Sequence, residues 1–411
     1  MTMQSLPWLG RRVAASAGEE GPIWRRAVLA VMRRPAIGLV ATTVLLLALA
    51  SPVLGLHMGA AGASSLPNDS VAKQGLVALQ RDFPSGVTDP VDIVVDGSQN
   101  DAGVKEAVTR LRAQLAGDRD FAARALTVQS GPRVAVAAVP LTVEPTSERA
   151  SAAIDRLRDD YVPAAFGATA DRVLVGGTPA EARDSFAVDA GWLPIVIAFV
   201  LTLSFVLLTL AFRSIAIPLT AIAVNLLSVG AAYGILVLVF QEGVGTDLLG
   251  FTQVERIDAW VPIFLFSVLF GLSMDYQVFL LSRIHERWAA TGDTAGAIVH
   301  GVASTARLIT GAAAIIIVVF AGFASGQLVA FQEMGFGIAI ALALDATLVR
   351  LLLIPAAMRL LGERNWYLPS WLPWLPDLRV EGHEPPAPPA DQPAHDDTAP
   401  EVPPGALPVG S

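Results

Sequence analysis

The 411-residue chain is 53% hydrophobic and only 16% charged, with a mean hydropathy of +0.55, too apolar for an ordinary soluble protein and in the range of one that crosses a membrane several times. It holds no cysteine, which excludes disulfides, thiolate metal sites and cysteine nucleophiles. The net charge of −9 argues against nucleic acid as a partner.

Residues 1–35 form a polar, basic segment in which Arg11, Arg12, Arg25, Arg26, Arg33 and Arg34 precede the first apolar run. That run, residues 36–56, is the first predicted span. It begins too late and runs too long for the core of a signal peptide. Residues 57–188 are mixed in character and predict one extracytoplasmic α+β domain. Strands are expected at Val91–Val95, near Leu126–Val128, at Arg133–Leu141 and at Arg172–Val175, from β-branched alternation. Helices are expected over Asp101–Ala116, with Val104, Ala107, Val108, Leu111 and Leu115 on one face, and over Thr146–Asp160, with Ile154, Leu157 and Tyr161 turned inward. The order β-α-β-β-α-β predicts a ferredoxin-like fold.

Residues 189–361 predict a bundle of five further spans. Gly191–Phe212 and Ile215–Phe240 form a tight hairpin around Arg213 and Ser214. Trp260–Ser282 is the fourth span, Leu308–Gly322 a short fifth and Met334–Met358 the sixth, with Arg283–Arg307 expected as a basic connection. Arg213, Arg283, Arg287, Arg307, Arg359 and Arg364 fall on one side of the membrane, which places both termini inside and residues 57–188 outside. Arg350 is expected to snorkel toward the inner face. The Pro-rich stretch 362–411 predicts a disordered cytoplasmic tail. Asn68-Asp69-Ser70 matches a glycosylation sequon, a pattern that also arises by chance.

Two carboxylates lie inside predicted spans, Asp275 and Asp345, and a charge at that depth is costly unless paired or protonated. Asp275, beside the hydroxyl of Tyr276, reads as a proton relay. Asp345 has two readings, a second relay or an interhelical hydrogen-bond anchor among small residues. Asn225 is a supporting polar residue of the bundle able to reach the Asp275 helix. Glu333 reads as a solvated residue at the membrane edge. An intramembrane aspartyl protease is set aside, since Asp275-Tyr276 reverses the Tyr-Asp order and Asp345 follows Ala-Leu where such enzymes carry Gly-x-Gly. His57, His285 and His300 lack ligand spacing and no Walker motif is present, so no metal, cofactor or enzymatic activity is expected.

The segment GLSMDYQVFLLSRIHERW (Gly271–Trp288) resembles the signature of the mycobacterial membrane protein large (MMPL) family of the resistance–nodulation–division superfamily. LPNDSVAKQG (Leu66–Gly75) with the RDFPSG that follows it, RLITGAAAIIIVVFAGFASG (Arg307–Gly326), FQEMGFGIAIALALDATLVRLLLIPAAM (Phe331–Met358) and LGERNWYLP (Leu361–Pro369) extend the likeness, which runs from about residue 30 to 376. It implies a proton-driven exporter of lipids or other hydrophobic compounds in the bacterial cytoplasmic membrane, with a ferredoxin-like porter domain and Asp275 and Tyr276 on the proton path. Gln277 stands where the family often has Glu. The family pattern is twelve spans in two similar halves, and this chain resembles the C-terminal half. Its expected partners are therefore a first-half transporter chain or a second copy of itself, with protons and a hydrophobic substrate. The alternatives are a non-transporting membrane scaffold or regulatory subunit, or a degenerate half-transporter fragment; a scaffold gives no reason to keep a costly buried acid.

Overall fold

The computed structural model describes residues 22–59, 66, 70–82, 89–97, 102–131 and 133–368. Asn68 and Asp69 of the sequon and the Pro-rich tail from 369 onward lie outside the described residues.

The basic N-terminal segment contains a helix that its charge concealed. Helix α1 (Pro22–Arg33) is amphipathic, with Val28 fully buried and Met32 against the bundle core. Pro35 then opens α2 (Pro35–Ala50), which carries the first apolar run.

Beyond α2 and helix α3 (Val71–Asp82), a helix the sequence did not announce, comes a compact α/β unit. Its elements are β1 (Val91–Asp96), α4 (Ala102–Leu115), β2 (Thr127–Ser130), β3 (Val134–Val139), α5 (Glu148–Arg156) and β4 (Val173–Gly176). The four strands lie in the order β2-β3-β1-β4, each pair antiparallel, with Ile93 opposite Ala137 on one side and Val175 on the other. Alternation in β1 sends Val91, Ile93 and Val95 to the covered face, where they meet Leu111 and Leu115 of α4 and Ile154 and Leu157 at the end of α5. Ser147 caps α5 by accepting the Ala150 N–H at 3.2 Å. A widened π-turn, Leu157–Tyr161, then carries the chain on.

A polar cluster ties the turn after α4 to α5. Arg156 bonds Asp118 (3.0 Å) and Asp120 (2.8 Å), and the Tyr161 hydroxyl donates to Asp118 at 3.0 Å. Burial acts to raise the Asp118 carboxyl, but the Asp120 N–H, Arg156 and Tyr161 together outweigh it and hold it below its ordinary 3.8.

No linker separates this unit from the bundle. Helix α6 (Thr178–Phe212) starts directly after β4 and runs through the expected boundary at 188/189 without a break. The junction is Gly177, at φ +86°, where a Cβ would overlap the Pro90 carbonyl. A separate short ribbon pairs Met58–Gly59 in parallel with Ile257–Asp258, and Arg256 beside it reaches Glu148 of α5 at 3.4 Å as a second tie.

The bundle continues through α7 (Ala216–Leu236), α8 (Trp260–Thr291), α9 (Thr294–Ala324), α10 (Val329–Leu344) and α11 (Ile354–Leu361). Among the described residues, six helical segments are long and apolar enough to cross a membrane, Pro35–Gly55, Thr178–Phe212, Ala216–Gln241, Trp260–Thr291, Thr294–Ala324 and Val329–Trp366. The hairpin at Arg213 forms as expected, with Arg213 at φ +47°.

Three expectations change. Arg283–Arg307, expected as a basic connection with an amphipathic stretch, is helical on both sides of a short turn: α8 continues to Thr291, Gly292 and Asp293 turn, and α9 begins at Thr294, so the fifth span belongs to a 31-residue helix. Small residues make this packing feasible, since a Cβ on Gly301 of α9 would overlap the Ile284 side chain of α8. Residues 362–368 are packed rather than disordered. Asn365 is buried and donates to Met358 O at 2.7 Å, Ser214 Oγ donates to Asn365 O at 2.5 Å, and Trp366 stacks on Trp288 with centroids 4.7 Å apart. Glu333 is not solvated. It is 1% exposed and accepts the Asp258 N–H at 3.2 Å, because the Met58/Ile257 ribbon closes over the end of α10.

Candidate functional site

Helix α8 is 32 residues long, about 48 Å at 1.5 Å per residue, so both ends emerge from a ~30 Å hydrocarbon core. Asp275 lies about 22 Å along it from Trp260, close to mid-depth. Two stripes on this helix have opposite fates. Phe266, Phe270, Ser273, Gln277, Leu280 and Ile284 are buried in the bundle. Trp260, Phe264, Ser267, Gly271 and Asp275 form a line on the outer surface. The Asp275 carboxylate makes no hydrogen bond or ion pair among the described residues.

Behind this helix sits a buried polar knot. Chain 345–353 is a π-helical segment interposed between α10 and α11. In an α-helix residues five apart diverge by about 140°. The i→i+5 pattern realigns them, and Asp345 meets Arg350 side by side. Arg350 Nε and Nη2 both donate to Asp345 Oδ2, at 3.0 and 2.9 Å, and Nη2 also donates to Ser273 O at 2.9 Å. The Ser273 hydroxyl lies 3.0 Å from both Asp345 Oδ1 and Asn225 Oδ1 of α7, with one proton to give. Asp345 is 5% exposed and Arg350 3%. Arg350 therefore does not snorkel: its guanidinium turns inward, and its Cζ lies 5.1 Å from the centre of the Tyr276 ring, within cation–π range.

Asn225, Asp345 and, through Arg350, Tyr276 are thus one cluster, while Asp275 stands apart on the other side of α8. Ser273 is the residue that the sequence reading passed over, and Arg350 the one it sent to the membrane edge instead of to Asp345. Their signal was spacing: Ser273 and Gln277 lie four apart in an otherwise apolar helix, and Arg350 lies one π-turn after Asp345. Asn225 Nδ2, Gln277 Oε1 and Arg350 Nη1 are buried without a protein partner among the described residues, so the knot is polar beyond its direct bonds and suits internal water.

The family model for MMPL proteins matches residues 64–373. The chain belongs to the MMPL family. It is 35% identical over 384 residues to the mycolic acid-containing lipids exporter MmpL11 of Mycolicibacterium smegmatis, covering 92% of this chain and 39% of that one. It is 36% identical over 364 residues to the heme uptake protein MmpL11 of Mycobacterium tuberculosis, covering 87% and 37%. It is 33% identical over 373 residues to the trehalose monomycolate exporter MmpL3 of M. smegmatis, covering 86% and 35%. The chain spans about two fifths of the length of these curated relatives. As an MMPL protein with six candidate spans, it is a multi-pass membrane protein.

Proposed function

We propose that this MMPL chain supplies one half of a lipid exporter driven by the proton gradient, seated in the bacterial cytoplasmic membrane with both termini inside. The names of two of the relatives support lipid export. Arg283, Arg287, Arg359 and Arg364 lie at the bundle end opposite the sheet domain, which supports an inward-facing end by the positive-inside rule. The β-α-β-β-α-β order, with its sheet order β2-β3-β1-β4, supports a ferredoxin-like porter domain outside.

The observation that carries the reading is the outward Asp275. A carboxylate on the lipid side of a helix at mid-depth costs about 2.5–3.5 kcal/mol or more. In a duplicated transporter the coupling site lies between the repeats. The stripe from Trp260 to Asp275, with Ser267 and Gly271 permitting close approach, is the face a second set of spans would cover. A separate chain, a second copy or further spans of a longer polypeptide would serve equally. Asp275 then carries the proton with Tyr276 beside it. Asp345 acts as an anchor: its charge is spent on Arg350, and the pair fixes the cation over the Tyr276 ring.

Asp275→Asn, nearly isosteric but unable to carry a proton, is expected to abolish gradient-driven lipid export while insertion and unfolding temperature stay at wild-type values. Export at the wild-type rate by this variant removes Asp275 from the relay.

A further inference from the structure

At the bundle end opposite the sheet domain, helices α1, α8, α9 and α11 enclose a cleft of about 440 Å³. Each helix contributes one basic or titratable side chain: Arg25, Arg287, His300 and Arg359. Among the described residues the single carboxylate in the lining is Asp293, and its Oδ1 already caps α9 by accepting the Ala295 N–H at 2.9 Å. Among the described residues, Arg287 and Arg359 thus face one carboxylate that is already engaged. Arg287 and Arg359 make no side-chain hydrogen bond or ion pair among the described residues, and both are exposed. By contrast Arg283, one turn earlier on α8, is matched locally by Glu286 at 3.0 Å.

The rest of the lining is apolar. Leu29 and Met32 of α1 and Val299 of α9 form the wall beside the arginines. A free inorganic anion has no use for that wall. An amphiphile with a phosphodiester head and an acyl chain uses both parts, and the cleft lies where the long helices α8 and α9 leave the hydrocarbon layer. Basic pockets between spans at this depth suit anionic head groups, and guanidiniums suit phosphate oxygens through paired N–H donors. Amphipathic α1, half-sunk against α9 and α11, completes the wall in the manner of an interfacial helix.

We infer that this cleft is a binding site for one anionic phospholipid head group, held by Arg287 and Arg359, with the chain's first acyl carbons against Leu29, Met32 and Val299. The site is separate from Asp275 and does not depend on the transport reading. It makes α1 a lipid-gripped strap across the bundle end.

The test uses the purified full-length chain in detergent. Unfolding temperature and bound-lipid count by native mass spectrometry are measured against added phosphatidylglycerol, phosphatidylcholine and inorganic phosphate. Phosphatidylglycerol is expected to raise the unfolding temperature and to remain bound as one copy, where phosphatidylcholine and phosphate do neither. Arg287→Gln/Arg359→Gln is expected to weaken phosphatidylglycerol binding roughly thirtyfold, about 1 kcal/mol for each arginine lost. Arg26→Gln/Arg364→Gln removes the same charge at the same end but outside the cleft and is expected to leave binding within about threefold, which separates a site from general attraction to basic surface. Equal effects of the two lipids, equal loss in both double variants, or an equal response to phosphate alone overturns the proposal.

Discussion

Replacing Asp345 with Asn, which keeps the shape but removes the charge, leaves the Arg350 guanidinium 3% exposed with no carboxylate. A guanidinium cannot shed its proton to escape the burial. Breaking a buried pair from one side costs about 3–5 kcal/mol, and two charge-assisted bonds at 2.9 and 3.0 Å are lost here. Arg350→Met is milder, since the carboxyl left behind has a neutral form available and keeps the Ser273 hydroxyl. The double variant Asp345→Asn/Arg350→Met removes the stranded charge and should recover most of the loss, as apolar replacements of buried pairs are often neutral. With the unfolding entropy of a chain this size, 3–5 kcal/mol is a fall of on the order of 5 °C. The assay is thermal unfolding in detergent, read by intrinsic tryptophan fluorescence. The reasoning fails if Asp345→Asn unfolds within about 1 °C of wild type, or if the double variant loses the sum of the two single effects.

Tyr276→Phe keeps the ring beneath Arg350, so stability should change little, while export falls less than in Asp275→Asn; a fall in unfolding temperature as large as that of Asp345→Asn would show that the hydroxyl is structural. Single-cysteine labelling is clean because the chain has none: Lys105→Cys should react with an impermeant maleimide in intact cells and Ala290→Cys only after lysis, and the reverse pattern inverts the topology. Because the folded Asp118 carboxyl titrates below 3.8, its contribution is complete above that value and is lost as pH falls through the depressed value. Asp118→Asn should therefore flatten the acid limb of the unfolding-temperature profile, and an unchanged limb between pH 4 and 2 would assign acid sensitivity elsewhere.

The elements of the sheet domain were legible because their code is local. The alternation of Val91, Ile93 and Val95 and the 3.6-residue spacing from Ala107 to Leu115 each state which face is covered. What was not legible was decided by partners distant in sequence. Glu333 looks like an edge residue until the ribbon formed by residue 58 and residue 257 closes over it. Arg350 looks free to reach water until a π-turn, invisible to a 3.6-residue reading, rotates it onto Asp345. Helix α1 was hidden because its arginines mark topology and amphipathic docking with the same residues. Gly292 and Asp293 are a two-residue turn, and the basic residues around them lie on helices that extend beyond the apolar core, which hydropathy alone reads as loop.

The two intramembrane carboxylates show how one costly residue type is handled in two ways. Asp345 is enclosed, paired with a cation that cannot change charge, and tied to two more helices through Ser273 and Asn225; every contact favours one fixed state. Asp275 sits a few residues from Ser273 on the same helix, yet it faces outward with none of these ties. A carboxylate held as Asp345 is held would need its ion pair broken before it could exchange a proton, at a cost of several kcal/mol in each cycle. A carboxylate placed as Asp275 is placed needs only a neighbouring surface that admits water and a hydroxyl at the right moment. The bundle is thus tied together by buried polar bonds behind α8 and presents an exposed carboxylate in front of it, and on the proposed reading that exposed side is where a working unit places its second set of helices.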